Sequence, residues 1–100
     1  MTLSTHVLDT GIGAGAAGMR VDVTGPNGES ASATLDAGGR AVLIEKLAAG
    51  TYELSFHAGE YQGGNFFGII PVRFNVTDPG QKFHIPLILS AYGYSTYRGG

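Results

Sequence analysis

Few residues of this chain are of types that can do chemistry. Its three histidines stand at His6, His57 and His84, and Arg40 directly follows the turn Asp36-Ala37-Gly38-Gly39. An imidazole titrates near neutrality, so two of them in one cleft can pass protons to and from a water molecule. A guanidinium fixed beside them would grip a carbonyl or an anionic heterocycle through paired N–H donors. Standing alone, an arginine that follows a tight turn is ordinarily an exposed surface residue. Other chemistries fit less well. No His-x-His or His-Glu-x-x-His spacing aims two imidazoles at one ion, so no metal is expected. Gly11, Gly13 and Gly15 have neither the spacing nor the strand-to-helix setting of a dinucleotide loop. Serine, histidine and aspartate are present without a nucleophile elbow. The absence of cysteine removes disulfides, thiolate metal sites and a thiol nucleophile together.

The elements that must position these groups read as strands. Short Val/Ile/Leu/Thr runs lie between turn signals, and 17 glycines punctuate them. Residues 3–8 alternate, with Leu3, Thr5 and Val7 on one face and Ser4, His6 and Leu8 on the other. Residues 9–15 read as a loop unable to hold a strand, because glycine supplies freedom and nothing to pack. Residues 19–24 alternate again, and Gly25-Pro26-Asn27-Gly28 turns the chain. A third strand is expected over 30–35, whereas 41–47 fits either a strand or a helical turn. Residues 51–56 alternate cleanly, and the glycine-rich stretch 57–68 allows at most one helical turn around 58–62. Pro71 has no amide hydrogen, which sends strand 69–76 to an edge or makes Pro71 its start. After the turn at 78–81 comes a long apolar strand, 83–89, with 92–97 as a possible hairpin partner. Some seven or eight such strands, spaced by turns, suit a sandwich of two sheets.

On pattern alone, His6 and His84 are polar residues on the wet face of an antiparallel sheet. His84 falls opposite Phe83, Ile85, Leu87 and Leu89. His57, in a glycine-rich stretch, reads as a surface residue outside any site. The length fits one domain, residues 1–100. A net charge of −2 is too small and of the wrong sign for a nucleic-acid surface, and offers little resistance to self-association. No apolar run can span a bilayer, and no signal-peptide pattern opens the chain, so a cytoplasmic protein without membrane contact is expected. Tyr92, Tyr94 and Tyr97 are costly to leave in water, so the segment carrying them should pack into its own domain or a neighbouring subunit.

Two end segments carry a resemblance. Leu3-Ser4-Thr5-His6-Val7-Leu8-Asp9-Thr10 and the run from Phe83-His84-Ile85-Pro86 to Tyr97-Arg98-Gly99 resemble the signatures of the 5-hydroxyisourate hydrolases, a transthyretin-related family. Arg40, at the end of Asp36-Ala37-Gly38-Gly39-Arg40, is similar to the family's Asp-Gly-Arg turn. The resemblance implies a transthyretin (prealbumin)-like β-sandwich and hydrolysis of 5-hydroxyisourate in urate breakdown, with no cofactor. It implies a homotetramer, a dimer of dimers, with sites where dimers meet. His6, Arg40 and His84 would be catalytic, and His6, Arg40, Tyr97, Arg98, Gly99 and Gly100 would bind substrate. Where the family ordinarily reads Tyr-Arg-Gly-Ser, this chain has Gly100, so a hydroxyl is missing and weaker catalysis would follow if it touches substrate. Gly68-Ile69-Ile70-Pro71 also replaces the usual aromatic-aromatic-proline run. The rival from another class is a transthyretin-like carrier of a small aromatic ligand; such carriers lack the two histidines, arginine and tail together.

Overall fold

A computed structural model describes residues 1–63 and 66–100. Among these described residues are nine strands and one short helix: β1 (Leu3–Asp9), β2 (Ala14–Gly15), β3 (Arg20–Thr24), β4 (Ser30–Thr34), β5 (Arg40–Ile44), β6 (Gly50–Phe56), α1 (Ala58–Gln62), β7 (Ile70–Val76), β8 (Phe83–Leu89) and β9 (Tyr94–Thr96). One sheet runs β2-β1-β8-β9, with β5 also paired to β1; the other runs β4-β3-β6-β7. The expected two-sheet sandwich is there. Among the described residues no helix is long and apolar enough to cross a membrane.

Period-two alternation makes the sandwich. Leu3, Thr5 and Val7 of β1 point inward, as do Phe83, Ile85, Leu87 and Leu89 of β8. Facing them are Val21, Val23, Tyr52, Leu54 and Phe56, all essentially without solvent contact. Each such side chain contributes about 1.5–3 kcal/mol by leaving water. Thr5 is the polar residue on this inner face of β1, and its hydroxyl donates to the Ile85 carbonyl at 2.7 Å. The buried hydroxyl is thus satisfied, and it ties β1 to β8.

The pairing of β1 with β8 is parallel, from Leu3 opposite Phe83 to Asp9 opposite Leu89. On its other side β1 pairs antiparallel with β5, and His6 faces Arg40. The register of that pair shifts between Leu3 and Ser4, a bulge beside the residues of interest. The ambiguous residues after Arg40 are therefore strand, because β1 offers them an edge to complete. β7 is the edge of its sheet, where Pro71 costs no ladder bond.

Two expectations need correction. Residues 9–15 do hold a strand, the two-residue β2, which pairs Gly15 with Leu8 and Ala14 with Asp9. Glycine is what permits it: a Cβ on Gly15 would lie 2.0 Å from the Gly38 carbonyl oxygen, so the Asp36–Arg40 turn rests directly on the β2 backbone. The strand count consequently exceeds the seven or eight expected. We expect Gly15→Ala to cost about 3 kcal/mol, read as a lower urea midpoint. Gly68→Ala, whose Cβ would meet nothing within 4 Å, serves as the control.

The second correction is His57. It is only 9% exposed, although it sits in the glycine-rich stretch. It follows the last residue of β6, and its N–H donates to the Arg20 carbonyl at the start of β3. There Arg20 donates to Nδ1 at 3.2 Å, which leaves Nε2–H to donate to Asp22 at 2.7 Å. Ser32 on β4 donates to the other Asp22 oxygen, and that bond, then His57, holds the Asp22 carboxyl below its ordinary value. His57 is a structural brace for the start of α1. The expected helical turn is α1, closed by Gly63 in the left-handed conformation; residues 64 and 65 of the same stretch lie outside the described residues.

Candidate active site

The outer face of the β5-β1-β8 sheet carries Ser4, His6, Arg40 and His84. Alternation along β1 sends Ser4 and His6 outward, and both are half-buried. His84 is likewise half-buried between inward Phe83 and Ile85. Directly opposite residues of neighbouring strands share a face, so Arg40 stands beside His6 and Ser4 beside His84. The wet-face pattern of the sequence and a clustered site are the same thing here.

The turn before Arg40 is built by Asp36. Its Oδ1 accepts from the backbone N–H of Gly38 and of Arg40, each at 2.9 Å. The Arg40 amide is the main reason that the Asp36 carboxyl sits below its usual value. Gly39, at φ 77°, passes its carbonyl to the Val7 N–H at 2.9 Å. A Cβ there would meet the Val7 oxygen at 2.6 Å. Arg40 thus leaves a turn bolted to β1, while its exposed guanidinium lies 3.3 Å from the Cβ position of Gly38.

His84 is held on several sides. Ser4 Oγ lies 2.9 Å from its Nδ1. The Gly99 N–H donates to its carbonyl at 2.7 Å, and a Cβ on Gly99 would sit 2.7 Å from the ring Cδ2. Burial lowers the His84 pKa, and the electrostatic influence of the neighbouring His6, Arg40 and Lys82 lowers it further. The ring is therefore neutral and basic at neutral pH.

The remaining expected residues divide. Gly99 packs on His84, and Gly100 follows it, exposed. Tyr97 and Arg98 instead line a groove of about 230 Å³ with Val72, Phe74 and Ile85, on the edge of the sandwich between β7 and β9. The Arg98 guanidinium lies 4.1 Å from the centre of the Phe83 ring and donates to Gln81. Since Phe83 and Ile85 face inward and His84 outward, this groove is on the other side of β8 from the imidazole. The aromatic segment packs partly on its own domain: Tyr92 meets Phe66 and Tyr94 meets Phe67, at 5.8 and 5.3 Å between ring centres.

Ser4 joins the site although the sequence alone does not single it out. The signal available was its place on the His6 face of β1, but its bond to His84 follows only from the parallel register. Tyr61 is equally unmarked in the sequence; its hydroxyl donates to Asp9 at 2.7 Å and ties α1 to the end of β1. Burial, and then Asp9, push that phenol up to about 12. Among the described residues no three His, Asp or Glu side chains gather as a metal set would.

Comparison with known proteins agrees with this architecture. Residues 3–99 match the model of the HIUase/Transthyretin family. The chain is 40% identical to "5-hydroxyisourate hydrolase 2" of Rhizobium meliloti (strain 1021), over 97% of its own length and 94% of the relative's. The solved structure of Klebsiella pneumoniae 5-hydroxyisourate hydrolase superposes with a TM-score of 0.87 at 34% identity, covering all of both chains. Sea bream transthyretin gives a TM-score of 0.84 at 24% identity, over 97% of this chain and 93% of that one, which speaks for the fold alone. This chain belongs to the HIUase/Transthyretin family.

Proposed function

We propose that the protein hydrolyses 5-hydroxyisourate, opening its six-membered ring at an amide bond to give 2-oxo-4-hydroxy-4-carboxy-5-ureidoimidazoline in urate degradation. The observation that carries this is the meeting of His6, Arg40 and His84 on one sheet face, in a chain similar over its length to proteins of that name. His84 takes a proton from the attacking water, as a neutral imidazole can. The water oxygen bonds to the carbonyl carbon, and the Arg40 guanidinium stabilises the oxygen that gains charge. The proton taken up by His84 is relayed through His6 to the departing ring nitrogen as the C–N bond breaks, which returns both imidazoles to their starting state. No cofactor enters. Gly99 and Gly100 border the substrate through their main chain, and Tyr97 and Arg98 close the site in the assembled protein.

That assembly is four copies, a dimer of dimers, with the site where dimers meet. Two features support it: strands β7 and β9 leave free edges flanking one groove, and Phe66, Ile69 and Tyr92 stay 66%, 58% and 76% exposed. Unpaired edges and clustered exposed aromatics both invite association. Light scattering should give four times the chain mass.

The direct test makes 5-hydroxyisourate with urate oxidase and follows its ultraviolet decay with and without the protein. Acceleration supports the hydrolase; a rate equal to the spontaneous one rejects it in favour of a carrier. A pH profile goes further. Because the His84 pKa lies below its ordinary 6.5, the base stays unprotonated as pH falls through that value. The acid limb of kcat/KM should thus fall with an apparent pKa under 6.5. The same depression means that stability from neutral His84 is complete above 6.5, and is lost as pH drops toward the folded-state value. An acid limb above 6.5 would remove His84 from the role of base.

A further inference from the structure

His84 has two ring nitrogens, and the chain already occupies one of them. Ser4 Oγ stands 2.9 Å from Nδ1, because the parallel register sets the two residues side by side on the outer face. Water chemistry is left to Nε2. A hydroxyl can either donate or accept at this distance, and the two arrangements have opposite consequences. If Ser4 donated, the proton of a neutral ring would sit on Nε2, where no base would remain. If Ser4 accepts from Nδ1–H, the lone pair faces the site. The partner of one nitrogen sets the tautomer at the other.

We propose that Ser4 is a positioning residue of the hydrolytic reaction, its Oγ accepting from Nδ1–H and so presenting the Nε2 lone pair of His84 to the attacking water. This rests on the hydrolase reading given above. The surroundings are built for such fixity. Thr5, next to Ser4, anchors β1 to the Ile85 carbonyl, next to His84, so a hydroxyl bond crosses the same strand pair on each face. Gly99 seals the third side, its N–H on the His84 carbonyl and its Cα against the ring edge, where any side chain would collide with Cδ2. The ring can neither turn toward residue 99 nor leave Ser4 without breaking a contact. Ser4 touches neither water nor substrate in this arrangement; it acts through His84.

The test combines nitrogen-15 spectra of the histidine rings with steady-state kinetics, on the wild type, Ser4→Ala and Ser4→Thr. In the wild type at neutral pH the His84 ring should carry its proton on Nδ1, and in Ser4→Ala it should move toward the Nε2–H form that free neutral imidazole prefers. Ser4→Ala should lower kcat about tenfold while KM stays within about twofold, the pattern of a misoriented base. Ser4→Thr keeps the hydroxyl in a residue suited to a strand and should restore both readouts. A wild-type ring protonated on Nε2 overturns the proposal without any variant, as does an unchanged kcat in Ser4→Ala or a Ser4→Thr no better than Ser4→Ala. Failure of the wild type to accelerate 5-hydroxyisourate decay would instead reject the hydrolase reading, while the spectra still report whether Ser4 sets the ring.

Discussion

His84→Asn should reduce ring opening by about 10²–10⁴-fold while the sandwich remains folded. Asparagine keeps a polar side chain of similar reach at a half-buried position, so the neighbours Phe83 and Ile85 need not move. What it lacks is a nitrogen that can take a proton near neutral pH. The loss should appear in kcat, with an unaltered circular dichroism spectrum and thermal midpoint. An unchanged rate would remove the base from the scheme and leave His6 as the remaining imidazole on that face.

Arg40→Ala should cost about 2.7–4 kcal/mol of transition-state stabilisation, or roughly 10²–10³ in kcat, the range for removing a donor aimed at a developing oxyanion. Arg40→Lys should recover little of this. An ammonium keeps the charge but loses the planar fork that grips an oxygen through two N–H groups. The backbone at 40 is held by Asp36 and not by its own side chain, so neither change should unfold the turn. Steady-state kinetics on the two variants, with a denaturation midpoint for each, separate a lost donor from a disturbed loop. Full activity in Arg40→Ala would place the oxyanion elsewhere.

Much of this was legible in the chain because β1 and β8 largely alternate, the buried Pro86 and the half-buried Asp9 being the exceptions. Alternation alone put Ser4, His6 and His84 on outward faces and Leu3, Val7, Ile85 and Leu87 in the core. Pro71 announced an edge strand. The contacts that failed to show were those made by backbone against backbone or across long sequence distance. β2 exists because Gly15 lets the Asp36–Arg40 turn touch its main chain, and two glycine-flanked residues carry no period to read. His57 is held by Arg20 and Asp22, partners from a strand far earlier in the chain. Its glycine-rich neighbours gave the opposite impression. Arg98 shows the reverse difficulty: a resemblance assigns it to the substrate, whereas within one chain its guanidinium rests over Phe83. A family signature names positions and leaves the direction of each side chain open.

The parallel pairing of β1 with β8 has a consequence for the protein's birth. The strands that carry His6 and His84 are separated by about eighty residues of chain, and their ladder is the most non-local contact of the sandwich. Closing so long a loop costs conformational entropy before the ladder returns anything, which slows folding. During synthesis, β1 must wait with an open edge until residues 83–89 have left the ribosome, since neither β5 nor β2 covers that side. The nascent chain therefore carries an apolar strand with one open edge for most of its translation, the period in which it is most open to capture by other chains or by chaperones. The face that carries Ser4, His6, Arg40 and His84 cannot form until that pairing is made.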